Sequence, residues 1–336
     1  MTDHPATDHA ATDHPVTDTT APTDRIGFIG LGNMGGRMTR RIVDGGVPVH
    51  GFDMQRAAVE AAGASPLGSA VEVAEQSDVV FLSLPDSKVV ERVLLADEAF
   101  IPALRDGAVV VDLSTASPSS TQRIHEKLAA RGVHYLDAGI SGGAAAAEKG
   151  ALTLMVGGDA GALDRVRPVL AHFATNVFLM GGSGAGHSTK LLNNFLNAIS
   201  LSATAEVMVA AKKAGLDLAT VLDVLNASSG VNFATLNRFP KIITGDYLKG
   251  GLTNALMMKD VVLYVDHLHE LGVASLNAPG PMASFGLAQS LGYADQISNT
   301  VVDAIGDVSG HVRLHEPDAS PDSPAAGTAR PTDTKD

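Results

Sequence analysis

The chain has 336 residues, 45% of them hydrophobic and only 4% aromatic, with a formal net charge of −13 and no cysteine. That length suits two domains of ordinary size, and the missing cysteines exclude disulfides and thiolate metal sites. The acidic balance argues against nucleic acid as a partner, no apolar run of about 18 residues could span a membrane, and the N-terminus lacks the marks of a secretory signal, so a cytoplasmic location is expected.

Residues 1–24 repeat Thr-Asp-His with a five-residue period and carry five Asp with no Lys or Arg. Each repeat has too little apolar surface to offset the entropy of ordering its backbone, so a disordered tail is expected. His4, His9 and His14 could hold a metal loosely, but solvated side chains are the simpler reading.

The chain then opens with an apolar run, Ile26–Gly30, followed by Leu31-Gly32-Asn33-Met34-Gly35 and a helical pattern. Gly30-x-Gly32-x-x-Gly35 between a strand and a helix is the context of a dinucleotide site. Gly30 allows a tight turn, Gly32 lets backbone approach a pyrophosphate, and Gly35 lets helix and strand pack closely. The free N–H groups of the helix's first turn face the phosphates. A second strand, Pro48–Phe52, ends at Asp53, about 20 residues past the glycines, where a ribose hydroxyl needs an acceptor. This reads as a site for NAD. A glycine-rich loop without a ligand is the alternative for the glycines alone.

Further strands are expected at Asp78–Leu84, Ala108–Leu113 and Val133–Asp137, with Leu152–Val156 and Val177–Leu179 extending the sheet. Fully apolar strands separated by helices imply a parallel sheet covered on both faces. The expected class is therefore α/β. Residues 25–182 form a Rossmann-type doubly wound domain, and 183–306 form an all-helical domain for substrate and dimerisation. From His311 the chain again turns rich in Pro, Ser, Asp and Ala, and a second disordered tail is expected over 307–336.

The helical half opens at Gly184-Ala-Gly186 with a pattern running to Gly215. Lys190, Asn193 and Asn194 lie at i, i+3 and i+4 and share one face. A solvated lysine near a helix start is the plain alternative, yet a cation there opposes the dipole. The same dipole helps lower a lysine pKa toward neutrality. Arg238, Lys241 and Lys249 could meet a second anionic group or face water.

Taken together these residues resemble the β-hydroxyacid dehydrogenase family, which includes 3-hydroxyisobutyrate dehydrogenases. The resemblance runs from about Arg25 to Ile305. It implies that Lys190 is the general acid/base and that Asn194 orients the substrate. Ser141, Gly142 and Gly143 would hold the substrate carboxylate. Leu84, Pro85, Thr115 and Lys259 would join Gly30, Leu31, Gly32, Asn33, Met34, Gly35 and Asp53 around NAD, with no metal. The implied substrate is a small anionic hydroxy acid and the implied state a homodimer or homotetramer. The chain departs from the family's pattern at Arg37, Val89, Gly139 and Ala144–Ala147. An imine reductase of the same architecture, or a non-catalytic NAD(P)-dependent binding protein, typically lacks the lysine, so Lys190 counts against both.

Overall fold

The computed structural model describes residues 24–248 and 251–315. Eight strands form one sheet: β1 (Ile26–Ile29), β2 (Val49–Phe52), β3 (Ser65–Pro66), β4 (Val79–Leu82), β5 (Val109–Asp112), β6 (His134–Ser141), β7 (Leu152–Gly157) and β8 (Ala174–Gly181). Their spatial order is 3-2-1-4-5-6-7-8. Neighbours run parallel except β6 and β7, which are antiparallel. The expected parallel sheet is found with one antiparallel pair added. The link between β6 and β7, residues 142–151, is shorter than the dozen or so residues a parallel crossover needs. The two-residue β3 carries no sequence pattern of its own, while β6 and β8 outrun their apolar cores because partner strands pair with the extra residues.

Alternation splits the central strands between two cores. Phe28, Phe81, Val109 and Val111 face one layer, and Ile29, Val80, Leu82 and Val110 face the other. Both faces of the central strands are buried, so nearly every residue there is apolar, whereas β8 is exposed over most of its length. Helices α1 (Gly35–Asp44), α2 (Arg56–Ala61), α3 (Ala70–Gln76), α4 (Ser87–Glu91) and α5 (Phe100–Ala103) cover the first strands. They are joined by α6 (Pro118–Ala129), α7 (Gly143–Lys149) and α8 (Ala160–Leu170). Aromatics are few, yet Phe28, Phe81, Phe100, Phe173, Phe239 and Phe285 are all fully buried.

The helical half comprises α9 (Ala185–Lys213), α10 (Leu218–Asn226), α11 (Phe233–Asn237), α12 (Phe239–Ile242), α13 (Asn254–Glu270), α14 (Pro279–Ser290) and α15 (Val301–Val308). Helix α9 belongs to both halves. Its first turns lie on β6 and β7, and its remainder packs on α13, α14 and α15. Among the described residues no helix is long and apolar enough to cross a membrane.

Both expected tail boundaries shift. Asp24 pairs with Arg165 at 2.8 Å. At the other end α15 runs to Val308, and Leu314 is only 4% exposed within the helical core. Arg313 secures this return by pairing with Asp307. Composition alone missed it because only three residues, Val312, Arg313 and Leu314, carry the docking. The rest of both tails, the His repeats included, lies outside the described residues.

Candidate active site

Two kinds of glycine meet at the first turn. Gly30 has φ +86°, and a Cβ there would strike the Ser83 carbonyl. A Cβ on Gly35 would strike the Gly30 carbonyl oxygen. Both are needed by the fold itself. A Cβ on Gly32 would meet nothing within 4 Å, so this exposed glycine leaves open space in front of the turn. The first N–H groups of α1 border that space; Gly36 donates to the Gly32 carbonyl at 2.9 Å, and the others have no acceptor inside their own helix. An open cradle lined by N–H donors fits a pyrophosphate. Beside it Arg37 pairs with Glu148 of α7 at 2.8 Å and donates to the Asn33 carbonyl at 2.5 Å, tying the exposed Asn33 to the body of the sheet.

Asp53 stands at the end of β2, where Oδ2 accepts the Leu31 N–H and Oδ1 the Gln55 N–H, each at 2.8 Å. These bonds lock the carboxylate against the glycine turn and leave lone pairs for a ribose hydroxyl. Arg56 pairs instead with Glu60 at 3.0 Å on the exposed side of α2.

A cleft of about 640 Å3 opens at the carboxyl ends of β4 and β5. Leu84, Pro85 and Thr115 form one wall, with Met34 at its edge, and Ser141, Gly142 and Gly143 form another. The Leu84 N–H donates to the buried Ser114 Oγ at 2.9 Å, joining the two strand-end loops. Ser117 caps α6, its Oγ accepting the Ser120 N–H. Gly142 and Gly143 have φ of +120° and +66°, a backbone that side-chain-bearing residues rarely adopt.

Lys190 projects from α9 into this cleft and is only 8% exposed. Three features place it there. A Cβ on Gly139 would lie 2.5 Å from the Lys190 Cβ, so the bare glycine admits the lysine stem against β6. Gly186 lets the helix start press onto the Asp137 and Met155 carbonyls. The fully buried Asp137 then accepts the Gly184 and His187 N–H groups at 2.8 Å each, placing a carboxylate at the positive end of the helix. His187 is itself buried, its Nδ1 bonded to Thr121 Oγ1 at 2.7 Å, a packing role.

Burial drives the Lys190 pKa down to about 8. Asp260 opposes that shift and the Lys259 ammonium adds to it. Asp260 is 1% exposed. Its Oδ2 accepts from Asn194 Nδ2 at 2.5 Å, and Asn194 is 3% exposed. Its Oδ1 lies 3.2 Å from Lys259 Nζ without a hydrogen bond. Lys259 donates to the Pro85 and Thr115 carbonyls at 3.3 and 3.4 Å, strapping α13 to both strand-end loops.

Of the expected residues, Met34, Leu84, Pro85, Thr115, Ser141, Gly142, Gly143, Lys190, Asn194 and Lys259 line one cleft with Asn193 at its exposed rim, while the rest of the glycine turn and Asp53 lie outside its lining. In sequence, Asp260 is marked only as the neighbour of Lys259. Its place beside Lys190 and Asn194 is set by the packing of α13 on α9, which no local pattern could reveal. Of the basic candidates Arg238 lines the cleft, Lys241 faces Asp246 at the surface, and Lys249 lies outside the described residues.

Comparison with known proteins bears on the same residues. Residues 25–182 match the family described as the NAD binding domain of 6-phosphogluconate dehydrogenase. Residues 184–303 match the NAD-binding region of NADP-dependent 3-hydroxyisobutyrate dehydrogenase. A 2-(hydroxymethyl)glutarate dehydrogenase of Eubacterium barkeri is 36% identical, covering 81% of this chain and 92% of its own. An NAD-dependent L-serine dehydrogenase of Pseudomonas aeruginosa is 37% identical over 79% and 90%. The structure of Mycobacterium tuberculosis 3-hydroxyisobutyrate dehydrogenase with L-serine superposes with TM-score 0.76 at 30% identity, covering 83% of this chain and 98% of that one. An imine reductase from Pseudomonas sp., at 20% identity and TM-score 0.56, shares the fold alone. Likeness through both halves, at these identities and over nearly the whole length of the relatives, makes this chain a member of the 3-hydroxyisobutyrate dehydrogenase-type β-hydroxyacid dehydrogenases, NAD-dependent oxidoreductases.

Proposed function

We propose that this cleft oxidises a small 3-hydroxy acid with Lys190 as the proton acceptor. The observation that carries the reading is a buried ammonium whose pKa falls to about 8, inside a cleft that also holds an open glycine corner and two strand-end loops. An ordinary lysine, at about 10.4, is too basic to serve as a base near neutral pH. NAD, when bound, supplies the hydride acceptor.

The glycine turn and Asp53 would hold the pyrophosphate and adenosine ribose, with Leu84, Pro85, Thr115 and Lys259 at the nicotinamide end. Lys190 Nζ takes the hydroxyl proton during oxidation and returns it during reduction. Asn194 has one Nδ2 hydrogen committed to Asp260, so its amide is fixed and the second hydrogen can orient the hydroxyl oxygen. The Ser141 hydroxyl and the backbone N–H groups of Gly142 and Gly143 suit a carboxylate. The substrates in the relatives' names, 2-(hydroxymethyl)glutarate, L-serine and 3-hydroxyisobutyrate, share a CH2OH next to the carbon bearing the carboxylate, and the same core is proposed here.

Lys190→Ala should lower kcat by roughly 10²–10⁴-fold, the usual share of general acid–base catalysis, while NAD affinity changes little. Near-normal kcat in the variant would overturn the role. A homodimer or homotetramer is the proposed state, supported by apolar side chains exposed on the helical half, among them Val207, Leu216, Val224 and Leu276. Light scattering that returned a monomer would refute it.

A further inference from the structure

At the far end of the cleft from the cofactor loops lies a cation that the proposed chemistry does not use. Arg238, at the junction of α11 and α12, is half-buried and lines the same cleft as Lys190. Its Nη1 donates to Asn299 Oδ1 at 2.7 Å and its Nη2 to Asn197 Oδ1 at 2.9 Å. The Phe233 ring lies 5.8 Å from the guanidinium, on an exposed side chain that also lines the cleft. Among the described residues no Asp or Glu pairs with Arg238. Burial alone acts on it, pushing its pKa down to about 10.

A half-buried guanidinium whose side-chain bonds go only to neutral amides lacks the counter-charge that buried cations normally have. It also keeps unused donors. Of five N–H groups, two are spent on the asparagines, and each terminal nitrogen retains a second hydrogen. The two amides pin the planar fork in place, which prepares it for a bidentate acceptor such as a carboxylate.

Helix α9 supplies a ruler. Lys190, Asn194 and Asn197 stand at i, i+4 and i+7 on one face, and seven residues advance the helix by about 10 Å. The base and the anchor of Arg238 are therefore two turns apart along one wall. The Ser141–Gly143 loop belongs to the Lys190 end. A three-carbon hydroxy acid held there would not extend along the second turn.

We propose that Arg238 forms a second anion subsite and that the substrate is a 3-hydroxy dicarboxylate, whose distal carboxylate sits on the guanidinium. This rests on the dehydrogenase reading above. The flat Phe233 ring would flank the methylenes between the two ends.

The test compares two compounds of equal chain length with NAD: 2-(hydroxymethyl)glutarate and 2-(hydroxymethyl)pentanoate, which has a methyl group in place of the distal carboxylate. The unmodified enzyme should favour the dicarboxylate in kcat/KM by about 10- to 100-fold, the scale of a charge-assisted pair, and mainly through KM. Arg238→Gln should bring that ratio close to one, and Arg238→Lys should keep part of it. A readout without turnover is the thermal shift from glutarate set against pentanoate, expected in the unmodified protein and lost in Arg238→Gln. A ratio near one in the unmodified enzyme, or a ratio unmoved by Arg238→Gln, would show that Arg238 only ties α12 to α9, and the dehydrogenase reading would stand. Turnover of neither compound nor 3-hydroxyisobutyrate would remove the dehydrogenase reading. In that event an Arg238-dependent glutarate shift would still uphold the anion subsite, and its absence would remove both.

Discussion

The cofactor end of the molecule and the cleft beside it are built on different principles. At the cofactor end, Gly30, Gly32, Gly35 and Asp53 lie within one strand–helix–strand unit, and the constraints are local: a positive φ, a close approach, a carboxylate at a strand end. At the substrate end, Asp137, Lys190, Arg238 and Asp260 come from β6, α9, α12's cap and α13. Only packing brings them together. The first kind of site announces itself by spacing, and the second by burial that no spacing records. The cofactor end should therefore yield to local substitutions and the substrate end to substitutions that disturb how elements meet.

The sharpest way to break that contrast is Asp137→Ala. Its carboxylate holds the start of α9 through two backbone N–H groups, and each bond to a charged group contributes about 1.5–3 kcal/mol. A loss of about 3 kcal/mol or more in chemical denaturation is expected, with activity falling in parallel. Unchanged stability would mean that Gly186 and the helix core suffice to seat Lys190.

At the cofactor end, Asp53 should oppose the 2′-phosphate of NADP, since Arg56 is engaged by Glu60. A preference for NAD of order 10²-fold in kcat/KM, about 2.7 kcal/mol, is expected. Asp53→Ser should narrow or reverse it. Equal kcat/KM for both cofactors in the unmodified enzyme would sink this assignment.

Leu314→Ala sharpens the corrected C-terminal boundary. A buried leucine truncated to alanine costs about 2–5 kcal/mol, and the lower end suits a side chain at the margin of its core. A melting temperature within a degree of the unmodified protein would show that the segment merely rests there.

The smallest effect is on pH. Neutral Lys190 is the base, so kcat/KM for oxidation should rise with pH and level off above about 8. The positive charge of bound oxidised cofactor would lower that limb further. Reduction needs the ammonium and should fall over the same range. Asp260 holds the Lys190 pKa up, so Asp260→Asn should move both limbs to lower pH. A limb that stays in place would separate Asp260 from the proton transfer.

Much of this was legible before any coordinates. The strand–turn–helix glycines and Asp53 could be read because strand ends and glycine turns obey local geometry. Lys190 and Asn194 could be placed on one face because a helix repeats every 3.6 residues. The order of apolar strands separated the sheet from the helices. What sequence pattern could not reach was decided by tertiary structure: that β7 runs against β6, that residues 312–314 fold back onto the helices, and that Asp260 and Arg238 enter the cleft. The physical reason is common to these. Periodicity and turn chemistry act between neighbours, whereas the burial that lowers a lysine pKa or isolates a guanidinium arises where elements far apart in the chain exclude water together.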